Sequence, residues 1–412
     1  GEALFAEKGP PRNFFKTSDA SEMKVAFAIE NFSLYGGGAE SYAVQLAQTL
    51  VSRGHEVHFF GHQWDGEPKE AVFHKIPRLP RIVPPFVRIM HFALAHRAAV
   101  ARYDFDVVVG FGNTLTMNVY QSHGGVHQRS TSRKIAAVRS PVVRLLKRLA
   151  VLFTPKHYAR AWIESAAFRM NPRPIIVAIS DMVRNDMAEH FGVPAHEIRL
   201  VYNGIDVSKF AAAKGDSRSK TREELGFGPD AVLFLFMAYD LRKKGIQYLV
   251  EAAAKLRDRM GADRFGVIVV GGLPSPALSR MVDRLDLKNT MAFVGPTKEP
   301  ERYYVACDVF VLPTFYDACS LVVFEAMAAG LPAITTASNG AAGIIDQGRD
   351  GMVIESARDI DQLVEAMRRF LNPEVLKSAS EAARQTASRY TLPANHQRML
   401  EIFQEAAERG EG

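Results

Sequence analysis

The sequence predicts an α/β fold in which two doubly wound parallel-sheet domains face each other across a cleft. The 412 residues are enough for two domains of ordinary size, each with its own core. Short apolar runs of strand length alternate with helical segments in both halves of the chain. In each half a strand is followed by glycines or basic residues, at the position where open parallel sheets bind their ligands.

The strand and helix pattern divides the chain into four parts: residues 1–22, 23–205, 206–389 and 390–412. The first part lacks periodicity, so we expect a disordered extension or a remnant of cloning. The second and third parts are the two domains, and we expect a linker between them in the poorly patterned stretch 211–220. The fourth part is a final helix, preceded by a break at Tyr390–Pro393.

The region from Arg129 to Arg160 holds nine Lys or Arg and no Asp or Glu. Apolar residues interleave there at helical spacing with Arg144, Lys147 and Arg148. A basic amphipathic helix of this kind suits an anionic membrane surface, where each basic residue is worth ~1 kcal/mol. The alternative is a solvated helix over the core with arginine stems draped across it. The lack of acids favours a membrane or an anionic acceptor, and the lack of a stacking motif or reader fold disfavours nucleic acid.

The sequence also indicates the cellular compartment in which the protein is expected. No run reaches the roughly 18 uncharged apolar residues of a membrane helix, and no signal peptide opens the chain. Cys307 and Cys319 give no disulfide framework. We therefore expect a cytoplasmic protein that is peripheral on the inner face of the plasma membrane.

The stretch from Val309 to Thr336 is the clearest strand–loop–helix–strand unit of the chain. Gly330 and Pro332 end its helix, so the loop Pro313–Ala318 lies between the carboxyl end of a strand and the amino end of a helix. Ligands bind at this position in open parallel sheets, and free N–H groups at a helix start attract anions. The sequence therefore predicts a phosphate held by the main chain of Cys319, Ser320 and Leu321.

Two acidic residues accompany this helix start. Glu325 lies among apolar residues, where an unpaired carboxylate is costly. A sugar diol suits it, because two hydroxyls can donate to the two oxygens of one carboxylate. Asp317 lies in the loop and is expected to point at whatever is attached beyond the phosphates. The alternative is that Glu325 pairs with a lysine of its own domain and that Asp317 caps the helix.

Two further turns carry candidate phosphate ligands. The glycine turn Gly36, Gly37 and Gly38 lets the backbone approach a charged group closely, although a plain turn is the alternative. The turn lacks the G-x-G-x-x-G pattern, so a dinucleotide site is disfavoured. In the second half, Lys243 and Lys244 follow a strand together with Arg242. These cations suit a diphosphate, and a surface charge cluster is the alternative.

One histidine and one acidic motif remain. His123 follows a short strand and precedes two glycines, which favours a functional role over a structural one. The motif Asp104-Phe105-Asp106 suggests a metal site. Both acids precede their strand, however, at the wrong end of a parallel sheet for binding, so we predict no metal site.

The spacing of Asp317 and Glu325, followed by an Ala/Gly-rich helix end, resembles the nucleotide-sugar site of the retaining family 4 glycosyltransferases. These enzymes have the GT-B fold of two Rossmann-like domains, and most have Glu where this chain has Asp317. Lys243-Lys244-Gly245 matches their diphosphate clamp, and the resemblance extends over residues 23–410. Short strings such as Gln63-Trp64-Asp65-Gly66 are similar to the lipopolysaccharide core glucosyltransferases.

The resemblance implies a retaining transferase that moves a hexose, glucose, from a UDP-sugar to a saccharide or glycolipid acceptor such as a core heptose. It implies that no metal or cofactor is needed, that residues 23–205 bind the acceptor and 206–389 the donor, and that the final helix returns to the first domain. Several residues take implied roles: Glu325 on the ribose, Asp317 beside the sugar, His123 at the sugar or acceptor, Gly295 and the Gly271-Gly272 turn near the nucleotide, and Lys243, Lys244, Gly36, Gly37, Gly38, Cys319, Ser320 and Leu321 around the diphosphate.

Two other classes of function stay open from the residues. A nicotinamide oxidoreductase would use similar sheets but needs a glycine fingerprint that neither domain supplies. A membrane-surface protein that binds a nucleotide or phosphosugar without catalysis would explain the basic region. It would not explain Asp317, Glu325 and the lysines at one cleft edge.

Overall fold

The structure of the protein is a computed structural model that describes residues 22–33, 38–211 and 217–410. The sequence predictions for residues 1–21, Gly36 and Gly37 lie outside these ranges. Within them, the chain forms two separate parallel sheets and a short two-stranded pair.

The first domain contains a seven-stranded sheet in the order β5-β3-β1-β6-β7-β8-β9, and β2 pairs with β4 beside it. The strands of this domain are β1 (Lys24–Ala28), β2 (Asn31–Phe32), β3 (Glu56–Gly61), β4 (Gln63–Trp64), β5 (Val72–Lys75), β6 (Val107–Gly110), β7 (Val119–Ser122), β8 (Ile175–Ala178) and β9 (Arg199–Leu200). Its helices are α1 (Gly38–Ser52), α2 (Pro85–Val100), α3 (His127–Ala136), α4 (Pro141–Leu152), α5 (Pro155–Arg169) and α6 (Asp181–Phe191).

The second domain contains a six-stranded sheet in the order β12-β11-β10-β13-β14-β15. Its strands are β10 (Val232–Ala238), β11 (Phe265–Gly271), β12 (Met291–Gly295), β13 (Val309–Leu312), β14 (Ala333–Thr336) and β15 (Gly351–Ile354). The helices from the linker onward are α7 (Val207–Ala211), α8 (Ser217–Glu224), α9 (Ile246–Met260), α10 (Pro276–Arg284), α11 (Glu301–Ala306), α12 (Leu321–Ala329), α13 (Ile360–Arg369), α14 (Pro373–Ala387) and α15 (Leu392–Glu408).

Both sheets have the doubly wound strand order. Counted along the chain, the strands of each sheet lie in the order 3-2-1-4-5-6, with one more strand at the end of the first sheet. All pairings are parallel, and central strands such as β13 are buried along their whole length because helices cover both faces. The predicted fold class is confirmed.

The strand order locates the crevice of the second domain. β10 and β13 are neighbours, with Phe234 paired to Val309, and the strand order reverses between them. The loops that follow these two strands therefore diverge, and ligands of such sheets bind where they part. Gly330 takes a left-handed conformation (φ 89°) and ends α12, as the sequence predicts.

The two domains are joined by two crossings of the chain that run side by side. The first crossing leads from β9 into α7, and the second leads from α14 into α15. The amide of Ile205 donates to the carbonyl of Tyr390 at 3.0 Å, and the amide of Leu392 donates to the carbonyl of Ile205 at 3.0 Å. α15 then packs on the first sheet, where the ring of Phe403 lies 6.2 Å from that of Phe27.

The stretch 211–220 is not simply a linker, since α8 begins at Ser217. Arg222 of this helix is buried, and its guanidinium donates to Asp308 at 2.6 Å and to the carbonyl oxygens of Ala306, Pro229 and Ala231. The local sequence lacks an apolar pattern because this helix is held mainly by an arginine rather than by apolar side chains.

Candidate active site

Lys244 and Asp317 form an ion pair between the two loops that leave the crevice of the second sheet. Lys244 lies in the loop after β10 and Asp317 in the loop after β13. Gly245 brings the loops together: it has φ 84°, and a side chain there would overlap the carbonyl oxygen of Pro313. Asp317 therefore pairs with Lys244 instead of capping the helix, which was the alternative from the sequence.

Lys243 has a different partner from Lys244. Its ammonium lies 2.5 Å from Asp240 three residues earlier, and both side chains are largely exposed. The structure therefore places Lys243 at the rim of the crevice, with its charge opposed by a local carboxylate. This pair matches the alternative of a surface charge cluster more closely than a dedicated clamp.

The start of α12 offers fewer amides than the sequence predicts. The amide of Ser320 donates to Oδ1 of Asn339 at 3.3 Å, so the prediction that it is free for a phosphate is wrong in this structure. Cys319 is buried, and its carbonyl accepts from Asn203 at 3.4 Å. Leu321 is the first residue of α12, and its amide has no acceptor within the helix by geometry.

Gly38, the described member of the glycine turn, faces this helix start from the other domain. A Cβ built on Gly38 would lie 3.8 Å from Cδ1 of Leu321. The first helix of the first domain and the first turn of α12 are thus in contact across the cleft.

Glu325 is half-buried one turn further along α12, and its Oε2 accepts from the hydroxyl of Tyr304 at 2.7 Å. Burial raises the pKa of Glu325, whereas the bond from Tyr304 opposes this shift. No lysine lies within ion-pair distance of Glu325 in the described ranges, so the lysine alternative is wrong. Glu325 lines a cavity of about 620 Å³ between the domains, together with residues of α1 such as Ser41 and Gln45.

His123 lies at the carboxyl end of β7, as predicted, with its ring 4.7 Å from that of Tyr42 and 5.4 Å from that of Phe111. Burial lowers the pKa of His123 to about 3, so the imidazole is neutral at neutral pH. Its Nε2 has no hydrogen-bond partner in the part of the chain that the structure describes. The loop of Asp317 rests on the same turn, since the hydroxyl of Tyr316 donates to the carbonyl of Gly124 at 3.2 Å.

Gly272 follows β11 and Gly295 ends β12, at the same sheet edge as Lys244. A side chain on Gly272 would overlap the carbonyl oxygen of Tyr239, and a Cβ on Gly295 (φ 81°) would lie 3.0 Å from Leu273. Local packing therefore already accounts for both glycines, and their role toward a nucleotide stays a prediction.

In the basic region from Arg129 to Arg160, two arginines in or just after α3 pair with acids from distant segments. Arg133 of α3 donates to both oxygens of Asp186, at 2.5 and 2.9 Å. Arg139, just after α3, pairs with Glu251 of the second domain at 2.6 Å. The acids come from distant segments, so the lack of acids within the region did not reveal these pairs.

The segment expected to contact a membrane is therefore limited to α4 and the residues that flank it. α4 has no buried residue, and its large apolar side chains are exposed, Val142 by 65%, Leu145 by 57% and Leu146 by 59%. In the described ranges, none of the helices combines the length and apolar character that a membrane crossing requires.

Two residues of the site were missed by the sequence reasoning. Tyr304, which holds Glu325, comes from α11, and nothing in its local pattern distinguishes it from a core tyrosine. Lys134 of α3 lies with its ammonium 5.4 Å from the centre of the Tyr316 ring, beside Asp317. Its place in the basic region is the available signal, and the sequence favours a membrane or an anionic acceptor for that region without singling out Lys134.

The Asp104-Phe105-Asp106 motif lies at the amino end of the first sheet. Oδ2 of Asp106 accepts from the amide of Lys24 at 2.6 Å. Among the described residues, no group of three or more His, Cys, Asp or Glu side chains is arranged to hold a metal ion.

Two family models match the chain, one in each domain. Residues 36–209 match Glycosyltransferase Family 4, and residues 217–388 match Glycosyl transferases group 1. The lipopolysaccharide glucosyltransferase WaaG of Escherichia coli (strain K12) is 25% identical over 382 residues, which cover 90% of this chain and 96% of that relative.

Solved structures agree on the fold. A crystal structure of WaaG superposes with a TM-score of 0.75 at 23% identity, covering 92% of this chain and 99% of that one. Anabaena Alr3699/HepE in complex with UDP and glucose superposes with a TM-score of 0.68 at 18% identity, covering 93% of this chain and 100% of that one. Together with the two family matches and the two doubly wound sheets, these likenesses place the chain among the glycosyltransferases of GT-B fold, with a family 4 domain followed by a group 1 domain.

Proposed function

We propose that the protein is a retaining, metal-independent hexosyltransferase that moves glucose from UDP-glucose to a saccharide or glycolipid acceptor, such as a heptose of the lipopolysaccharide core. The bond between C1 of the sugar and the β-phosphate oxygen breaks, and its electron pair stays with UDP. C1 forms a new bond to an acceptor hydroxyl oxygen, whose proton is released. The donor is a substrate, and no cofactor enters this balance.

The observation that carries this proposal is the ion pair of Lys244 and Asp317 at the crevice of the second sheet, with Glu325 in the helix that follows the Asp317 loop. Lys244 offers a point charge to the diphosphate. Asp317 orients Lys244 and faces the space beyond it. Glu325 has one tyrosine donor, and a carboxylate has lone pairs for several more, so two ribose hydroxyls suit it.

The relatives support the choice of donor and acceptor. The Escherichia coli relative is named a lipopolysaccharide glucosyltransferase, and the HepE structure contains UDP and glucose. The spacing from Asp317 to Glu325 is that of the retaining enzymes, and it supports retention. The ammonium groups of the crevice can stabilise the charge of the phosphates, which a metal ion would otherwise do. This supports metal independence.

A second, smaller cavity supports acceptor binding by the first domain. It measures about 210 Å³ and lies at the ends of β1 and β6, where the order of the first sheet reverses. Glu30 and Asn113 are hydrogen-bonded at its wall at 2.9 Å, Arg160 adds a cation and Phe111 an apolar face. This lining suits a sugar ring, and Phe111 also contacts His123.

The same proposal places the enzyme in the cytoplasm, peripheral on the inner face of the plasma membrane. α4 presents exposed leucines and valines beside Arg144, Lys147 and Arg148. An amphipathic helix of this composition binds at the headgroup boundary of an anionic bilayer. A glycolipid acceptor would then reach the cleft from the same surface.

Calorimetry with UDP and a panel of nucleotide sugars tests the function. We expect UDP to bind, and UDP-glucose to be hydrolysed or transferred faster than other nucleotide sugars. Failure of UDP to bind would refute the proposal. Binding without any turnover would favour a nucleotide-binding protein instead.

Tyr304→Phe is expected to weaken UDP binding by about 3- to 10-fold, because it removes the donor that orients Glu325. A hydrogen bond to a charged group is worth about 1.5–3 kcal/mol, and the effect on UDP is smaller because Tyr304 acts on the nucleotide only through Glu325. Titration calorimetry measures the effect. Tyr303→Phe is the matched control, because Tyr303 is adjacent to Tyr304 in the sequence and does not contact Glu325 in the described part of the chain. Equal affinities for both variants would show that Glu325 does not bind the nucleotide.

Leu145→Glu combined with Leu149→Glu is expected to reduce binding to anionic vesicles at least about 10-fold, because each buried leucine is worth roughly 1.5–3 kcal/mol. Both residues are exposed on α4, so the fold should not change. Co-sedimentation with phosphatidylglycerol vesicles gives the readout. Leu94→Glu, on the exposed side of α2, is the control, and a similar loss for Leu94→Glu would argue against α4 as the contact.

A further inference from the structure

Lys134 reaches the crevice of the second domain from the first domain. Its ammonium lies 5.4 Å from the centre of the Tyr316 ring, over the loop that carries Asp317. Asp317 is the partner of Lys244. A cation from the first domain therefore lies beside the ion pair that marks the proposed donor site.

The position of α3 is fixed at its start, middle and end. At its start, the carboxylate of Glu164 accepts from the amide of His127 at 3.0 Å. In the middle, Arg133 forms its paired bonds with Asp186. At its end, Arg358 of the second domain donates to the carbonyl oxygens of Ala136 and Val138, at 2.5 and 2.9 Å. Lys134 is thus presented by a helix that is anchored to both domains.

Two nearby carboxylates are already paired with lysines other than Lys134. Lys243 is opposed by Asp240 and Lys244 by Asp317. Within residues 22–33, 38–211 and 217–410, no Asp or Glu lies within ion-pair distance of Lys134. Burial lowers the pKa of Lys134, the charges of Lys243 and Lys244 lower it further, and the charge of Asp317 opposes this shift. Such a group of cations is unfavourable until an anion lies among them.

We infer that Lys134 is a residue of the donor site, which binds the diphosphate of the nucleotide sugar from the acceptor domain and stabilises it as it departs. The inference rests on the proposed function. When the bond between C1 and the phosphate oxygen breaks, UDP gains a negative charge that the bound donor lacked. A cation near that oxygen therefore stabilises the transition state more than the bound donor, and its effect falls on kcat more than on KM.

The experiment compares Lys134→Ala, Lys134→Arg and Lys288→Ala in the full chain with UDP-glucose. Lys288 is an exposed lysine that pairs with Asp283 near the amino end of β12, at the opposite sheet edge. We expect Lys134→Ala to lower kcat about 10- to 100-fold and to change KM less than about 3-fold. This loss of kcat is smaller than the loss expected when a fully buried donor is removed. Lys134→Arg should recover most of kcat, and Lys288→Ala should match the wild type.

The outcomes separate this inference from the proposed function. If the wild type binds UDP and Lys134→Ala keeps its kcat, the role of Lys134 is overturned and the proposed function stands. If Lys134→Ala lowers kcat and Lys134→Arg does not restore it, the proposed role of the positive charge of Lys134 is also overturned. If the wild type fails to bind UDP, the proposed function fails first. Circular dichroism of each variant shows whether the fold is retained, and Lys134→Gln replaces Lys134→Ala if it is not.

Discussion

Replacing Lys244 by alanine is expected to lower kcat/KM for UDP-glucose by about 10²- to 10³-fold, the usual loss when one preorganised donor to a developing anion is removed. Lys244 is held between the two loops of the crevice by Asp317, and less than a quarter of its side chain is exposed. The change removes the charge nearest the proposed diphosphate. It also leaves Asp317 without its partner, so the loop after β13 loses a contact.

Steady-state kinetics and circular dichroism together decide this prediction. The variant should keep the wild-type spectrum, because the ion pair lies at a loop edge and not in the core. Lys243→Ala is the matched comparison, since Lys243 is the adjacent lysine but lies at the rim with Asp240. We expect a smaller loss there. Turnover near that of the wild type in Lys244→Ala would show that Lys244 does not stabilise the departing diphosphate.

Arg222→Met is expected to lower the free energy of unfolding by about 3–5 kcal/mol, because breaking a buried ion pair leaves the remaining charge uncompensated. The side chain of Arg222 is 4% exposed, and the guanidinium uses its donors on Asp308 and three carbonyl oxygens. Asp308 also accepts from the amide of Leu233 at 2.7 Å, so the pair connects α8 to the first strand of the second sheet.

Urea denaturation measures this effect. Arg398→Met is the control, because Arg398 is exposed by 54% and pairs with Glu401 of its own helix. An exposed pair of this kind is worth about 0–1 kcal/mol. If Arg222→Met destabilises the protein no more than Arg398→Met, then α8 is not held by the buried arginine.

The sequence was sufficient where the information is local. The strands of the second domain are short apolar runs bounded by glycine and proline, and the end of α12 at Gly330 follows from residues within the helix itself. The order of these units along the chain, with helices between parallel strands, determines which loops meet at the crevice. This is why Lys244 and Asp317 could be assigned to one edge before their contact was known.

The sequence was not sufficient where partners come from distant segments. Ser320 looks like the first donor of a helix, but Asn339 from the loop after β14 takes its amide. Lys134 and Arg133 look like membrane-facing cations, but Asp186 and Tyr316 meet them in the fold. The start of α8 has the sequence of a linker, because the carbonyl partners of Arg222 leave no trace in the side-chain pattern. In each case the missing information is a contact between residues far apart in the chain.

The paired crossings between the domains restrict how the two halves can move. A single connection between the domains would allow one domain to rotate about that connection as well as to bend. Two connections that are hydrogen-bonded through Ile205 resist this rotation and allow bending about one axis. Any bending between the two domains is then expected to occur about these paired crossings. A chain cut before Leu392 would lose this restraint together with α15, so its lobes would find their productive alignment only rarely.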